Sequence, residues 1–447
     1  MSANTLHFAS VFASTADGSR TVAFERSPAG EERVTSLATW QASVSELGVR
    51  LAGANVGRGS RVALFDEDPL SFSIALFALW ARGAVAVLAP NAQPGTFERL
   101  GEIVEASVGV DIGLGAQKSF EVVLSSSATD ALVAGDAPVT LERGAAALEL
   151  FTSGTTGEGK SVGKRISHLE DEVRVLEQTF GAGLGSARVY ATASHQHLYG
   201  LLFRVLWPLA AGRPFCRDRL LHAEELLPRL AAEPRSLLAS VPAHLDRMRS
   251  ASGFAQWLHI GAKDAAVCSV FSSGGPLGAA TAHGWEQMLG NTPTEVFGST
   301  ETGGVAYRRQ RRELGEDVAW RVFEGVRTSL DDAGCLRVAS SIVSEGCAEG
   351  EVCMFTMGDR AELLGDTTSP GGFRLRGRAD RVVKIGEKRV SLPEMESRLR
   401  THAFVSSAAL VAVSLAGQER VGAAVVTSEE GAEVLSREGR AALGHAL

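Results

Sequence analysis

Two periods alternate along the chain. Residues 37–53 place Leu37, Trp40, Val44 and Leu47 on one face, which predicts a helix. RVALFDED (61–68) reads as a strand, SFSIALFALWARG as a helix and AVAVLAP as a second strand. This β-α-β rhythm predicts a parallel sheet covered by helices. It recurs at 189–194, 201–212, 236–242 and 267–275. The most apolar stretch, Phe72 to Pro90, is broken by Arg82 and Gly83. It is short for a membrane span and predicts a buried helix followed by a strand. Ser167-x-x-Glu170 predicts a capping box opening a helix with the apolar face Leu169, Val173, Leu176 and Phe180. After about residue 325 the pattern shifts to short strands with turns (GCLRVAS, EVCMFTMGD, GFRLRGR). The tail reads as a helix (392–401), two strands and a charged helical end. The expected fold is α/β: a large N-terminal domain of layered, mostly parallel sheets with helices (1–377), then a small, incomplete α+β domain (378–447). The hinge is expected near 377–381.

Composition narrows the classes. With 447 residues, 45% of them hydrophobic, the chain has material for a large core and two or three packed units. The net charge of −8 argues against bulk nucleic-acid binding, which needs a basic face. Five scattered cysteines without C-x-x-C argue against a disulfide framework or zinc knuckle. The start, MSANTLHFAS, lacks the basic and apolar regions of a signal peptide. A cytoplasmic location is the expectation.

The segment LELFTSGTTGEGKS (148–161) carries the first chemistry. Glycines 154, 157 and 159 free the backbone to point N–H groups at phosphate oxygens. Thr152, Ser153, Thr155 and Thr156 add hydroxyls, and Lys160 adds charge. Gly154 to Ser161 also fits the Walker pattern G-x-x-x-x-G-K-S. A Walker loop feeds directly into a helix. Here SVGKRI follows and predicts a strand or turn, and no convincing Walker B strand is present.

The longer phrase FTSGTTGEGK resembles the phosphate loop of the AMP-forming acyl- and aryl-acid ligases: acyl-CoA synthetases, luciferases and peptide-synthetase adenylation domains. That superfamily usually has Pro where this chain has Gly159. Further motifs follow in the family's order. SSGGPL (272–277) resembles the segment whose backbone lines the adenine, implicating Gly274, Gly275 and Pro276. EVFGSTETGG (295–304) resembles the aromatic-Gly-x-Thr-Glu motif, which includes Gly298 and Ser299. By that resemblance Phe297 stacks on adenine, Thr300 contacts the α-phosphate and Glu301 binds Mg²⁺. FTMGDR (355–360) implies that Asp359 holds the ribose, with Met357 in place of the usual Thr. The stretch 373–399 resembles the hinge motif, with Arg378 reaching the nucleotide and Asp380 as pivot. Glu387 stands where many members have Gly. ATASHQHLYG (191–200) resembles the His-x-aromatic-Gly segment near the carboxylate pocket, with His197 as its His and His195 as a decoy.

The resemblance implies that ATP and a carboxylic acid give an acyl-AMP and pyrophosphate, with ATP/AMP and Mg²⁺ as cofactors. A thiol of CoA or an acyl carrier protein then takes the acyl group. Small residues at 274, 275, 303, 304 and 305 imply room for an aryl or medium acyl acid. The run RRQRR (308–312) reads as a solvated loop or as a dock for an acidic carrier or the CoA 3′-phosphate. The family's C-terminal adenylation lysine has no counterpart, since no lysine follows Gly417. Tight nucleotide binding with weak adenylation is therefore expected of this chain. A P-loop NTPase and a non-catalytic nucleotide- or partner-binding protein are the alternatives.

Overall fold

A computed structural model describes residues 6–13, 15–27, 30–89, 91–110, 118–122, 141–152, 160–251, 254, 267–312, 318–344, 352–366, 369–379, 382–385, 388–415 and 418–446. The chain divides into two compact units. The first is Met1–Arg327 with Ala339–Phe355, and the second is Thr328–Val338 with Thr356–Leu447. The 377–381 segment named as a hinge falls within the second unit, and Asp380 lies outside the described residues.

Among the described residues the first unit holds a six-stranded and a nine-stranded sheet. In the six-stranded sheet, Arg61–Leu64 pairs in parallel with Val85–Leu88 across the helix Pro69–Ala81. That is the β-α-β unit the pattern predicts. The helix forms because Asp68 caps it, accepting N–H bonds from Leu70 and Ser71, and Pro69 takes the first turn, where no donor is needed. It is apolar on all sides because it is buried on all sides. The helix Leu37–Gly53 packs beside it, joined by a bond from the Trp40 indole N–H to Ser73 Oγ at 2.9 Å. Leu37, Trp40, Val44 and Leu47 are all buried, as their spacing requires.

The nine-stranded sheet runs through Gly303–Arg309, Thr294–Ser299, Val267–Ser272, Arg235–Ser240 and Arg188–Ala191, among others. The last four strands named are consecutive neighbours and parallel. Their carboxyl ends therefore emerge on one edge.

The helix Ile166–Leu176 corrects the capping expectation. Its first turn is closed by His168, whose Nδ1 accepts the Arg165 N–H at 3.2 Å. Glu170 instead turns toward the N-terminal segment and accepts the Phe8 N–H at 2.7 Å. A tertiary partner outcompetes the local cap. Burial lowers the His168 pKa to about 4, so the ring keeps the lone pair that the cap needs.

The second unit holds a four-stranded sheet, two hairpins, the helix Leu392–Arg400 and the terminal helix Glu429–Ala446. Among the described residues no helix is long and apolar enough to cross a membrane. Cys216, Cys268 and Cys335 are free and buried, whereas Cys353 is disulfide-bonded.

Candidate active site

The phosphate-loop segment connects two antiparallel strands. Ala146–Thr152 pairs with Lys160–Arg165, with Thr152 opposite Lys160. Lys160 thus opens a strand, and the next helix waits until Ile166. A Walker lysine sits at a helix start, so a lysine that opens a strand argues against the NTPase reading. Ser153, Gly154, Thr155, Thr156 and Gly157 lie outside the described residues.

A cleft of about 210 Å³ opens at the carboxyl edge of the parallel strands. Ligands of open α/β sheets bind at that edge. His197 and Tyr199 follow Arg188–Ala191, and Ser273 and Gly274 follow Val267–Ser272. Gly298 and Ser299 end Thr294–Ser299, and Thr300, Gly303 and Gly304 follow. Residues separated by a hundred positions in sequence meet here because their strands lie side by side. Gly275, Pro276, Phe297 and Glu301 sit on the same loops and strand but do not line the cleft, nor does Val305. The Phe297 ring leans on Trp320, with centroids 5.4 Å apart. Asp359 and Arg378 belong to the second unit, where the Arg378 guanidinium donates to Asp359 at 3.2 Å.

Two glycines of the motif are required sterically. A Cβ on Gly298 would stand 2.0 Å from the Gly303 carbonyl oxygen. Gly303 has φ +65°, and a Cβ there would meet Ile342 Cγ2 at 2.4 Å and the Glu172 carboxyl at 2.7 Å.

The two histidines part company. His195 is buried against Phe72, its Nε2 bonded to the Asp66 carbonyl at 2.7 Å. Burial pushes its pKa down to about 3. His197 is exposed at the lip, and loss of solvent around its ring lowers its pKa below the usual value. A second, more polar cleft borders it, lined by Asp66, Asn91, Arg204 and Arg219 among others. Burial raises the Asp66 pKa to about 6.

The basic run 308–312 is neither a solvated loop nor a free dock as a whole. Arg308 donates twice to the buried Glu295, at 2.8 and 3.1 Å, and lies over the Trp320 ring. Arg309 donates to Thr294 Oγ1, and the buried Gln310 donates to the Leu277 carbonyl and Glu295. Glu295 on the neighbouring strand pairs the Arg308 charge, whereas Arg309 is exposed. Arg311 and Arg312 remain exposed.

Sequence reasoning missed a buried pair in the wall. Lys164 is fully buried, and its Nζ donates to the carbonyls of Glu301 (3.3 Å) and Ile342 (3.2 Å). Glu172, buried and lining the cleft, stands 4.0 Å from Nζ through Oε1 and accepts the Gly304 N–H through Oε2 at 3.2 Å. Burial lowers the Lys164 pKa and raises that of Glu172. The signal existed: Lys164 shares the inward period-two face with Val162, and Glu172 shares the helical face with Leu169 and Leu176.

Residues 13–354 match the family described as AMP-binding enzyme. The chain is 29% identical over 266 residues to a 4-coumarate–CoA ligase of Rhodobacter capsulatus, covering 58% of this chain and 59% of that protein. The chain thus spans about three fifths of that curated relative's length. It is 24% identical to a 4-hydroxybenzoate–CoA/benzoate–CoA ligase of Rhodopseudomonas palustris, over 85% of this chain and 76% of that protein. The fold resembles the crystal structure of ATP-bound MatB from Rhodopseudomonas palustris. The TM-score is 0.76 at 20% identity, over 100% of this chain and 92% of that one. With the family match over residues 13–354, about three quarters of its length, this chain belongs to the AMP-binding enzyme family.

Proposed function

We propose that the protein activates a carboxylic acid, aryl or acyl, with ATP and passes the acyl group to a thiol. The carboxylate attacks the α-phosphate, forming acyl-AMP and releasing pyrophosphate. The thiolate sulfur then attacks the acyl carbonyl, forming a thioester and releasing AMP. Neither step needs a side-chain nucleophile, so positioning and charge stabilisation do the work.

The observation that carries this reading is the cleft that His197 and Thr300 share. Its walls are apolar (Leu202, Phe203, Phe323, Ile342), which suits the body of an organic acid. The lowered pKa favours the neutral His197 ring, which has one N–H to donate to the acid's carboxylate. Thr300 supplies a hydroxyl for charge gathering on the α-phosphate. In this reading Gly274, Gly275, Pro276, Phe297, Gly298 and Ser299 frame the adenine side. Thr152 to Gly157 and Lys160 hold phosphates, Asp359 holds the ribose, Arg378 reaches the nucleotide, and Asp380 is the pivot.

Glu301 is the residue that would hold Mg²⁺. It is a single half-buried carboxylate next to a cleft-lining hydroxyl. That donor set fits an ion whose other ligands are water and phosphate oxygens. When bound, the ion would offset phosphate charge. The relatives' names favour CoA as acceptor thiol, with an acyl carrier protein as the second choice.

The test is formation of acyl-AMP from α-labelled ATP across aryl and aliphatic acids. Acid-dependent label in acyl-AMP supports the reading. ATP binding with no acid-dependent acyl-AMP from any acid, even over incubations about 10²–10³ times longer to allow for the slow adenylation expected without the C-terminal lysine, refutes it.

A further inference from the structure

Burial grades along the cleft. His197 is exposed and Thr300 half-buried, whereas Glu172, Leu202 and Phe203 are buried. An acid must present its carboxylate where ATP can reach it, at the open end. Its far end then meets the buried walls Leu176, Phe203, Phe323 and Ile342 and the half-buried Val175, apolar apart from Glu172. The Glu172 carboxylate is only partly satisfied there. Oε2 has the Gly304 N–H, but Oε1 is buried and has no hydrogen-bond donor. Lys164, 4.0 Å away, directs its N–H groups to two main-chain carbonyls. A buried acceptor left without a donor is costly, and a ligand that brings one relieves that cost. Gly303 packs against the carboxyl so closely that a Cβ there would come within 2.7 Å of Oε1.

Resting on the function proposed above, we infer that Glu172 determines specificity. It accepts a hydrogen bond from a hydroxyl or amino group at the far end of the acid. The preferred substrates are acids carrying such a donor, in the manner of a para-hydroxyaryl acid. A site built to bond a hydroxyl rejects the analogue that lacks it more strongly than an apolar pocket rejects an extra methylene.

The test is calorimetric binding of 4-hydroxybenzoate, 4-methoxybenzoate and benzoate to the full chain, without ATP. Wild type is expected to bind 4-hydroxybenzoate about tenfold or more tightly than the other two. In the K164M/E172L double variant, which removes both buried charges together, that preference should vanish or invert. Thermal melting checks that this variant folds, and E172Q, which keeps the size and one acceptor oxygen, should show an intermediate preference. Equal binding of the three acids, binding of none, or a preference that survives in the double variant overturns the inference. Acyl-AMP formation is read separately, so the ligase reading stands or falls independently of this preference.

Discussion

Replacing Lys164 by Met removes one partner of a fully buried pair. The Glu172 carboxylate is left with one N–H donor, from Gly304, and the carbonyls of Glu301 and Ile342 each lose a bond from Nζ. Breaking a buried ion pair from one side costs about 3–5 kcal/mol. The midpoint, about 4 kcal/mol, lowers the melting temperature by about 5 °C for a cooperative unit of this size. The penalty has a pH signature. The orphaned carboxyl has a raised pKa in the folded state, so acidification protonates it there first. The difference between K164M and wild type should therefore shrink as pH falls toward the ordinary carboxylate range. The K164M/E172L double variant leaves no unpaired charge and should recover at least half of the loss. Urea and thermal unfolding, followed by intrinsic fluorescence, read these quantities. A K164M cost below about 1 kcal/mol, or a double variant less stable than K164M, would refute the reasoning.

Other consequences follow from the same geometry. G303A should weaken benzoate-type acid binding about tenfold or more, because its Cβ collides with Ile342 and Glu172 at a strained φ; calorimetry reads it. T300V should slow acyl-AMP formation by about 10²–10³ with little change in melting temperature, as expected for a donor acting on developing charge. Stability should depend on His195. Its folded pKa of about 3 lies below the unfolded value near 6.5, so its contribution is full above pH 6.5. That contribution, on the order of 5 kcal/mol, drains as pH falls from 6.5 toward 3, and a pH series of urea midpoints measures it.

Much of the fold is legible in the sequence because local pattern and tertiary demand agree. The Pro69–Ala81 helix carries its cap, its proline and its apolar body in the letters themselves. The loop that fits the Walker pattern is separable from a true one by the strand that follows it. The cap at Ser167 fails because Glu170 finds distant donors in Phe8 and Arg143, which no local pattern reports. The basic run misleads for a related reason: the partner of Arg308 is Glu295 on the neighbouring strand, which no local pattern reports. The motif residues of the cleft are readable as types, but their convergence depends on strand order. Lys164 and Glu172 are readable only as charges on inward-facing positions, and their chemistry appears once the 298–304 loop is seen folded over them.

The most direct test is a single-turnover experiment with excess protein, α-labelled ATP and a panel of aryl acids. The account predicts label appearing in acyl-AMP only when an acid is present, with one pyrophosphate released per adenylate. Release of orthophosphate and ADP at the same rate with and without acid would contradict it.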